Sequence, residues 1–127
     1  MRGLLMARIL VVDDEIAIVD ILKAFLEDKE HKVFTAYNGV EALEMAKKER
    51  PHIILLDIYL PKMDGIQVLQ AVREFDKTIG VIIMTGFREK DVALKAIELG
   101  AFDYINKPFD FDYLERALDT KLQLMLM

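Results

Sequence analysis

Five consecutive residues constrain this chain most: Ile53-Ile54-Leu55-Leu56-Asp57, an unbroken apolar run that ends on a carboxylate. Pro51 stops any helix before it, and Pro61 and Gly65 break the chain into a loop after it. An apolar run without polar alternation suits a strand covered on both faces, as in a parallel sheet buried between helices. Asp57 then stands at the carboxyl end of a central strand. Ligands of open α/β sheets bind at that edge, so this one acid lies where chemistry is expected.

Two further runs end the same way. Arg8-Ile9-Leu10-Val11-Val12 leads into Asp13-Asp14, and Val81-Ile82-Ile83-Met84 leads into Thr85-Gly86, each followed by a helical pattern. If these strands are parallel, Asp13, Asp14, Asp57 and Thr85 share one crevice. In chain order, the pattern predicts a strand at 7–12 and a helix from Glu15 to about Asp28. Next come a short strand at 32–36 and a helix at 40–49 with Val40, Leu43 and Ala46 facing inward. After the central strand, a helix reaches about Asp76 with Ile66, Leu69 and Val72 inward. A strand at 80–85 is followed by a helix near 89–99, closed by Gly100. A brief strand at 104–106 ends at Lys107-Pro108, and the last helix begins near Asp110 with Phe111, Leu114, Leu118, Leu122 and Met125 on one stripe. Strict strand–helix alternation predicts a doubly wound α/β domain around a five-stranded parallel sheet in flavodoxin-like order, 2-1-3-4-5. Residues 7–127 form this domain and residues 1–6 a leader, with Met6 an equally good start.

At 127 residues, one core of this kind needs no metal or disulfide staple. The net charge of −5 and a pI near 5.0 repel phosphate backbones, so direct nucleic-acid binding is not expected. With no cysteine, thiolate metal sites and cysteine nucleophiles are excluded. Leu4-Leu5-Met6 is too short for a signal-peptide core, and the acid pair after the first strand opposes membrane insertion. A cytoplasmic protein without a membrane segment is the expectation.

Acids at adjacent strand ends raise one another's proton affinity unless a cation intervenes. An oxygen-only cluster with no His or Cys beside it suits Mg²⁺ rather than Zn²⁺. Lys107 and Thr85 close the fifth and fourth strands and can point into the same crevice. Carboxylates, a metal, an ammonium and a hydroxyl together form a set for handling phosphoryl groups, and carboxylates are known phosphoryl nucleophiles. Asp57, alone on the central strand, is the best nucleophile. Each residue also has a plainer reading: Asp13-Asp14-Glu15 as a helix cap, Thr85 as a strand end, Lys107-Pro108 as a turn. Their coincidence at one sheet edge favours the functional reading.

The segments Ile9-Leu10-Val11-Val12-Asp13-Asp14-Glu15, Ile54-Leu55-Leu56-Asp57 with Pro61-Lys62-Met63-Asp64-Gly65, Val81-Ile82-Ile83-Met84-Thr85 and Lys107-Pro108-Phe109 resemble, in order and spacing, the receiver domains of two-component response regulators. The resemblance implies that Asp57 accepts a phosphoryl group from a sensor histidine kinase or a histidine phosphotransfer protein. It implies Mg²⁺ bound by Asp14, Asp57 and the Tyr59 backbone carbonyl, with Asp13 acting through a water. Lys107 and Thr85 would bind phosphoryl oxygens, and Tyr104 would be the switch aromatic. The bond before Pro108 is expected to be cis. Glu15, Ala17, Ile18, Ile21 and Phe109 would face the phosphodonor, and Tyr59 and Phe87 would flank the approach of hydrolytic water. His31 and His52 fall outside the crevice and are not phosphoacceptors.

A haloacid-dehalogenase-type phosphatase is a distant alternative, since it needs a second acid where Tyr59 stands. A flavin carrier needs a Gly/Ser/Thr phosphate loop where Asp13-Asp14-Glu15 stands. A stand-alone phosphorelay intermediate and the receiver half of a longer transcription regulator remain open. Leu122 to Met127, apolar on more than one face, suits either a homodimer contact or a linker.

Overall fold

The computed structural model describes residues 6–86 and 89–126. Five strands, β1 (Arg8–Val12), β2 (Lys32–Ala36), β3 (Ile53–Asp57), β4 (Gly80–Thr85) and β5 (Asp103–Asn106), form one parallel sheet in the order β2-β1-β3-β4-β5. Between and after them run α1 (Ile16–Asp28), α2 (Gly39–Glu49), α3 (Gly65–Phe75), α4 (Lys90–Glu98) and α5 (Phe111–Leu126). This is the doubly wound, flavodoxin-like arrangement expected from the alternation of patterns.

The sheet separates two cores, which explains why β3 and β4 carry no polar residue before their ends and β1 none after Arg8. Ile9, Val11, Ile53, Leu55, Ile82 and Met84 pack with Val19, Leu22 and Leu26 of α1 and with Leu114, Leu118 and Leu122 of α5. Leu10, Val12, Ile54, Leu56, Val81 and Ile83 pack on the other face with Ala42 and Ala46 of α2, Val68, Leu69 and Val72 of α3, and Ala96 of α4. Successive side chains of one strand thus enter different cores, and each fully buried aliphatic contributes roughly 1.5–3 kcal/mol.

Local signals set the helix ends. The Asn38 side chain accepts from the Glu41 N–H at the start of α2. Asp64 and Gln67 form a reciprocal capping box at the start of α3. Gly100, at φ +110°, turns the chain out of α4 in a conformation that an L side chain resists.

One inward assignment is corrected. Val40 is 43% exposed, and the buried positions of α2 are Gly39, Ala42 and Ala46. The helix starts one residue earlier than expected, at a glycine that the periodicity does not count. Leu43 and Ile66 are only half-buried against the core.

Candidate functional site

The parallel register brings the site together. Val12 lies opposite Leu56, Asp57 opposite Met84 and Thr85 opposite Asn106, so the ends of β1, β3, β4 and β5 meet along one edge. Asp13, Asp57 and Thr85 are each the first polar residue after, or at, the end of a buried run, and Lys107 follows Asn106 at the end of β5.

Asp13, Asp14 and Asp57 present carboxylate oxygens that all lie within 4.8 Å of one another. Asp13 is fully buried and Asp57 nearly so, whereas Asp14 is exposed. The ammonium of Lys107 reaches into this cluster, 2.6 Å from Asp13 Oδ2, 3.4 Å from Asp57 Oδ2 and 4.0 Å from Glu15 Oε1. The Glu15 N–H donates to Asp13 Oδ1 at 3.0 Å, and the Tyr59 N–H donates to Asp57 Oδ1 at 3.4 Å.

The balance of charge is uneven. Burial, then the neighbouring Asp13, push the Asp57 carboxyl up to about 6, and Lys107 and the Tyr59 N–H only partly offset this. For Lys107, burial works against the ammonium, but its hydrogen bond to Asp13 and the charges of Asp57 and Asp13 hold it above the usual lysine range. Three acids against one close lysine leave an excess of negative charge. That excess and an all-oxygen donor set fit a hard divalent cation such as Mg²⁺.

Thr85 is 1% exposed, and its hydroxyl lies 3.0 Å from Asn106 Oδ1 and 3.3 Å from the Ile105 carbonyl. Tyr104 is half-buried and packs against the core on the α2–α3 side of the sheet. The Lys107–Pro108 bond is cis. Beside the crevice, Glu15 and Ala17 are exposed and Ile21 is 52% exposed. Ile18 and Phe109 are half-buried against the opposite core. Phe109 also contacts Phe111, with ring centroids 6.2 Å apart.

His31 and His52 lie away from this edge. Their Nδ1 atoms accept the backbone N–H groups of Ala7 and Arg8, at 3.1 and 2.9 Å, beside the start of β1. Phe87 lies outside the described residues. Two further residues were not singled out from sequence. Ile16, 65% exposed at the first turn of α1, reads as an ordinary helix hydrophobe. Asn106, a polar residue immediately before Lys107, reads from sequence only as the last residue of the fifth strand.

The family profile described as "Response regulator receiver domain" matches residues 9–119. Sporulation initiation phosphotransferase F of Bacillus subtilis is 40% identical over 117 residues, 92% of this chain and 94% of that protein. Transcriptional regulatory protein ZraR of Klebsiella oxytoca is 41% identical across 90% of this chain but only 26% of its own length. Among solved structures, a response regulator receiver domain protein from Clostridium thermocellum superposes with a TM-score of 0.90 at 31% identity, covering 96% of this chain and all of that one. NtrX from Brucella abortus superposes at 0.85 with 36% identity, over 91% of this chain and 27% of its own.

Proposed function

The chain belongs to the response regulator receiver domain family, and from that premise we propose that Asp57 is its phosphoacceptor, loaded from a phosphohistidine on a sensor histidine kinase or a histidine phosphotransfer protein. The observation that carries the assignment is the position of Asp57: a nearly buried carboxylate at the end of the central strand, between two other acids and within 3.4 Å of Lys107.

In transfer, an Asp57 carboxylate oxygen forms a bond to phosphorus as the phosphorus–nitrogen bond of the donor breaks; the bond electrons stay on the departing imidazole nitrogen, and a proton held on the other ring nitrogen, or taken up from water, leaves the imidazole neutral. Asp14, Asp57 and the Tyr59 carbonyl would hold Mg²⁺, with Asp13 acting through a water, and the bound cation would supply charge neutralisation for the crowded carboxylates and the incoming phosphoryl oxygens. Lys107 is already aimed at Asp57 and shifts a short way to a phosphoryl oxygen. Thr85 donates its hydroxyl to another, and Tyr104 turns into the space that Thr85 leaves, changing the α4–β5–α5 surface. The domain thereby catalyses its own phosphorylation and dephosphorylation. Glu15, Ala17, Ile18, Ile21 and Phe109 form the donor-facing surface, with Ile18 and Phe109 reaching it from half-buried positions.

We take residues 7–127 as the receiver domain and residues 1–6 as its leader, and we place the protein in the cytoplasm. No helix among the described residues is long and apolar enough to cross a membrane. A stand-alone phosphorelay intermediate is the first reading, supported by near-complete coverage of the Bacillus phosphotransferase. The receiver half of a longer transcription regulator is the second, supported by the 41% identity to ZraR.

Incubation with acetyl phosphate and Mg²⁺ is expected to add one phosphoryl group by intact mass, with Asp57→Asn or a chelator abolishing it. Undiminished labelling of Asp57→Asn overturns the assignment.

A further inference from the structure

The hydroxyl of Thr85 is already engaged before any phosphoryl group arrives. It has one proton to give, and two acceptors stand within reach: the Ile105 carbonyl at 3.3 Å and Asn106 Oδ1 at 3.0 Å. Any residue at 105 supplies the carbonyl. The carboxamide belongs to the Asn106 side chain, so the closer acceptor depends on the residue at this position.

Asn106 is rigidly placed for this. It is the register partner of Thr85 across β4 and β5, and the next N–H, that of Lys107, donates to the Thr85 carbonyl at 2.7 Å. Its backbone is therefore fixed against the residue that its side chain holds. Asn106 is exposed whereas Thr85 is buried. When the hydrogen bond breaks, water satisfies the carboxamide at once, while Thr85 needs a new acceptor. A phosphoryl oxygen on Asp57 is such an acceptor.

We propose that Asn106 is a positioning residue that holds Thr85 in its unphosphorylated orientation and so sets how readily the domain switches once Asp57 is loaded. The inference rests on the proposed roles of Asp57 and Thr85. Asn106 competes with the phosphoryl group for one proton, so removing the carboxamide shifts the equilibrium toward the switched state and raises the domain's apparent affinity for a ligand of that state.

Beryllofluoride with Mg²⁺, which mimics a phosphoryl group on a carboxylate, provides the test through calorimetric binding to the full chain. Asn106→Ala is expected to tighten binding about twofold to tenfold, the range of one side-chain hydrogen bond. In a Thr85→Val background, which keeps the shape but lacks the hydroxyl, Asn106→Ala is expected to change nothing. An effect of equal size in both backgrounds, or none in the Thr85 background, overturns the inference. If the unaltered protein shows no binding that Asp57→Asn removes, the proposed function falls and this inference falls with it. In the ligand-free protein, Asn106→Ala is also expected to move the Tyr104 NMR resonances toward their beryllofluoride-bound positions, a shift that a purely structural role does not produce.

Discussion

Tyr59 shows how one residue divides its duties between backbone and side chain. Its N–H is turned toward Asp57 Oδ1, and its carbonyl is the proposed third protein ligand of the cation. Neither role depends on what the side chain is. The side chain is 60% exposed beside the acceptor, so it is free to govern what approaches from solvent. Hydrolysis of an aspartyl phosphate needs a water placed in line with the breaking bond, and positioning effects of that kind are commonly worth about 10²-fold or more. An aromatic ring can obstruct that water but cannot orient it, whereas a carboxamide can. Tyr59→Asn is therefore expected to shorten the phosphoryl half-life by about tenfold, a cautious share of that range, without reducing the extent of labelling. Decay followed by intact mass checks it. An unchanged or longer half-life means that the ring lies clear of the water's path. The substitution leaves the N–H and carbonyl in place, so a loss of labelling itself points instead to a disturbed β3–α3 loop.

That loop and the helix after it depend on one close approach. An added Cβ at Gly65 would lie 2.3 Å from the Asp57 carbonyl oxygen and 2.7 Å from the Ile58 Cα, both backbone atoms that no side-chain rotation can move. The Gly65 N–H also donates to the Ile58 carbonyl at 2.7 Å, while the Asp64–Gln67 capping box anchors the other side. Helix propensity alone predicts that Gly65→Ala stabilises the protein, since alanine is favoured over glycine by about 1 kcal/mol inside a helix. The close approach predicts the opposite, because overpacking against fixed backbone commonly costs roughly 1–3 kcal/mol. The contact is expected to win. Gly65→Ala should lower the melting temperature by about 4–10 °C and slow acetyl phosphate labelling, because the displaced backbone carries Asp57. Thermal unfolding and the labelling rate decide it, and a melting temperature that stays level or rises shows that the loop relaxes. Sequence punctuation located this loop but not its tightness: Pro61 and Gly65 mark a break, whereas how closely α3 approaches β3 depends on packing between elements. The exposure of Val40 follows from the same limit: the inner face of α2 is marked by the small residues Gly39, Ala42 and Ala46, which fit where the helix packs close, and a stripe drawn through the large hydrophobics misplaces Val40.

Across the whole molecule, the sheet edge that carries the chemistry was legible because buried strands advertise themselves as apolar runs that a polar residue ends. Asp13, Asp57 and Thr85 declare themselves this way, Lys107 stands out by its place before Pro108 at the close of the fifth strand, and parallel register does the rest. Pairings between edge residues, such as Thr85 with Asn106, were not legible, because they depend on register between strands distant in sequence. Nor was the use of the opposite edge, where His31 and His52 each accept a backbone N–H beside the start of β1. Only a neutral imidazole can accept there, and protonation would set one donor against another. Burial lowers His31 below its usual value, against the nearby charges of Asp119 and Glu115, and burial with the Arg8 charge lowers His52. With both folded values depressed, the unfolded chain binds more protons between those values and about 6.5, so stability rises with pH across that window and is lost as pH falls through it. Asp57 acts in the opposite sense. Its raised value means that the folded state holds the extra proton up to about pH 6, so its contribution falls as pH rises. The histidine effect is therefore isolated in an Asp57→Asn background. There, urea unfolding is expected to show greater stability at pH 7.5 than at pH 5.5, by on the order of 1 kcal/mol for each hydrogen bond retained. Replacing both histidines by asparagine supplies acceptors that do not titrate and should flatten the profile over that range. If the doubly substituted protein keeps the same pH slope, the two imidazoles are not its source, and the acid sensitivity belongs to the carboxylates at the other edge.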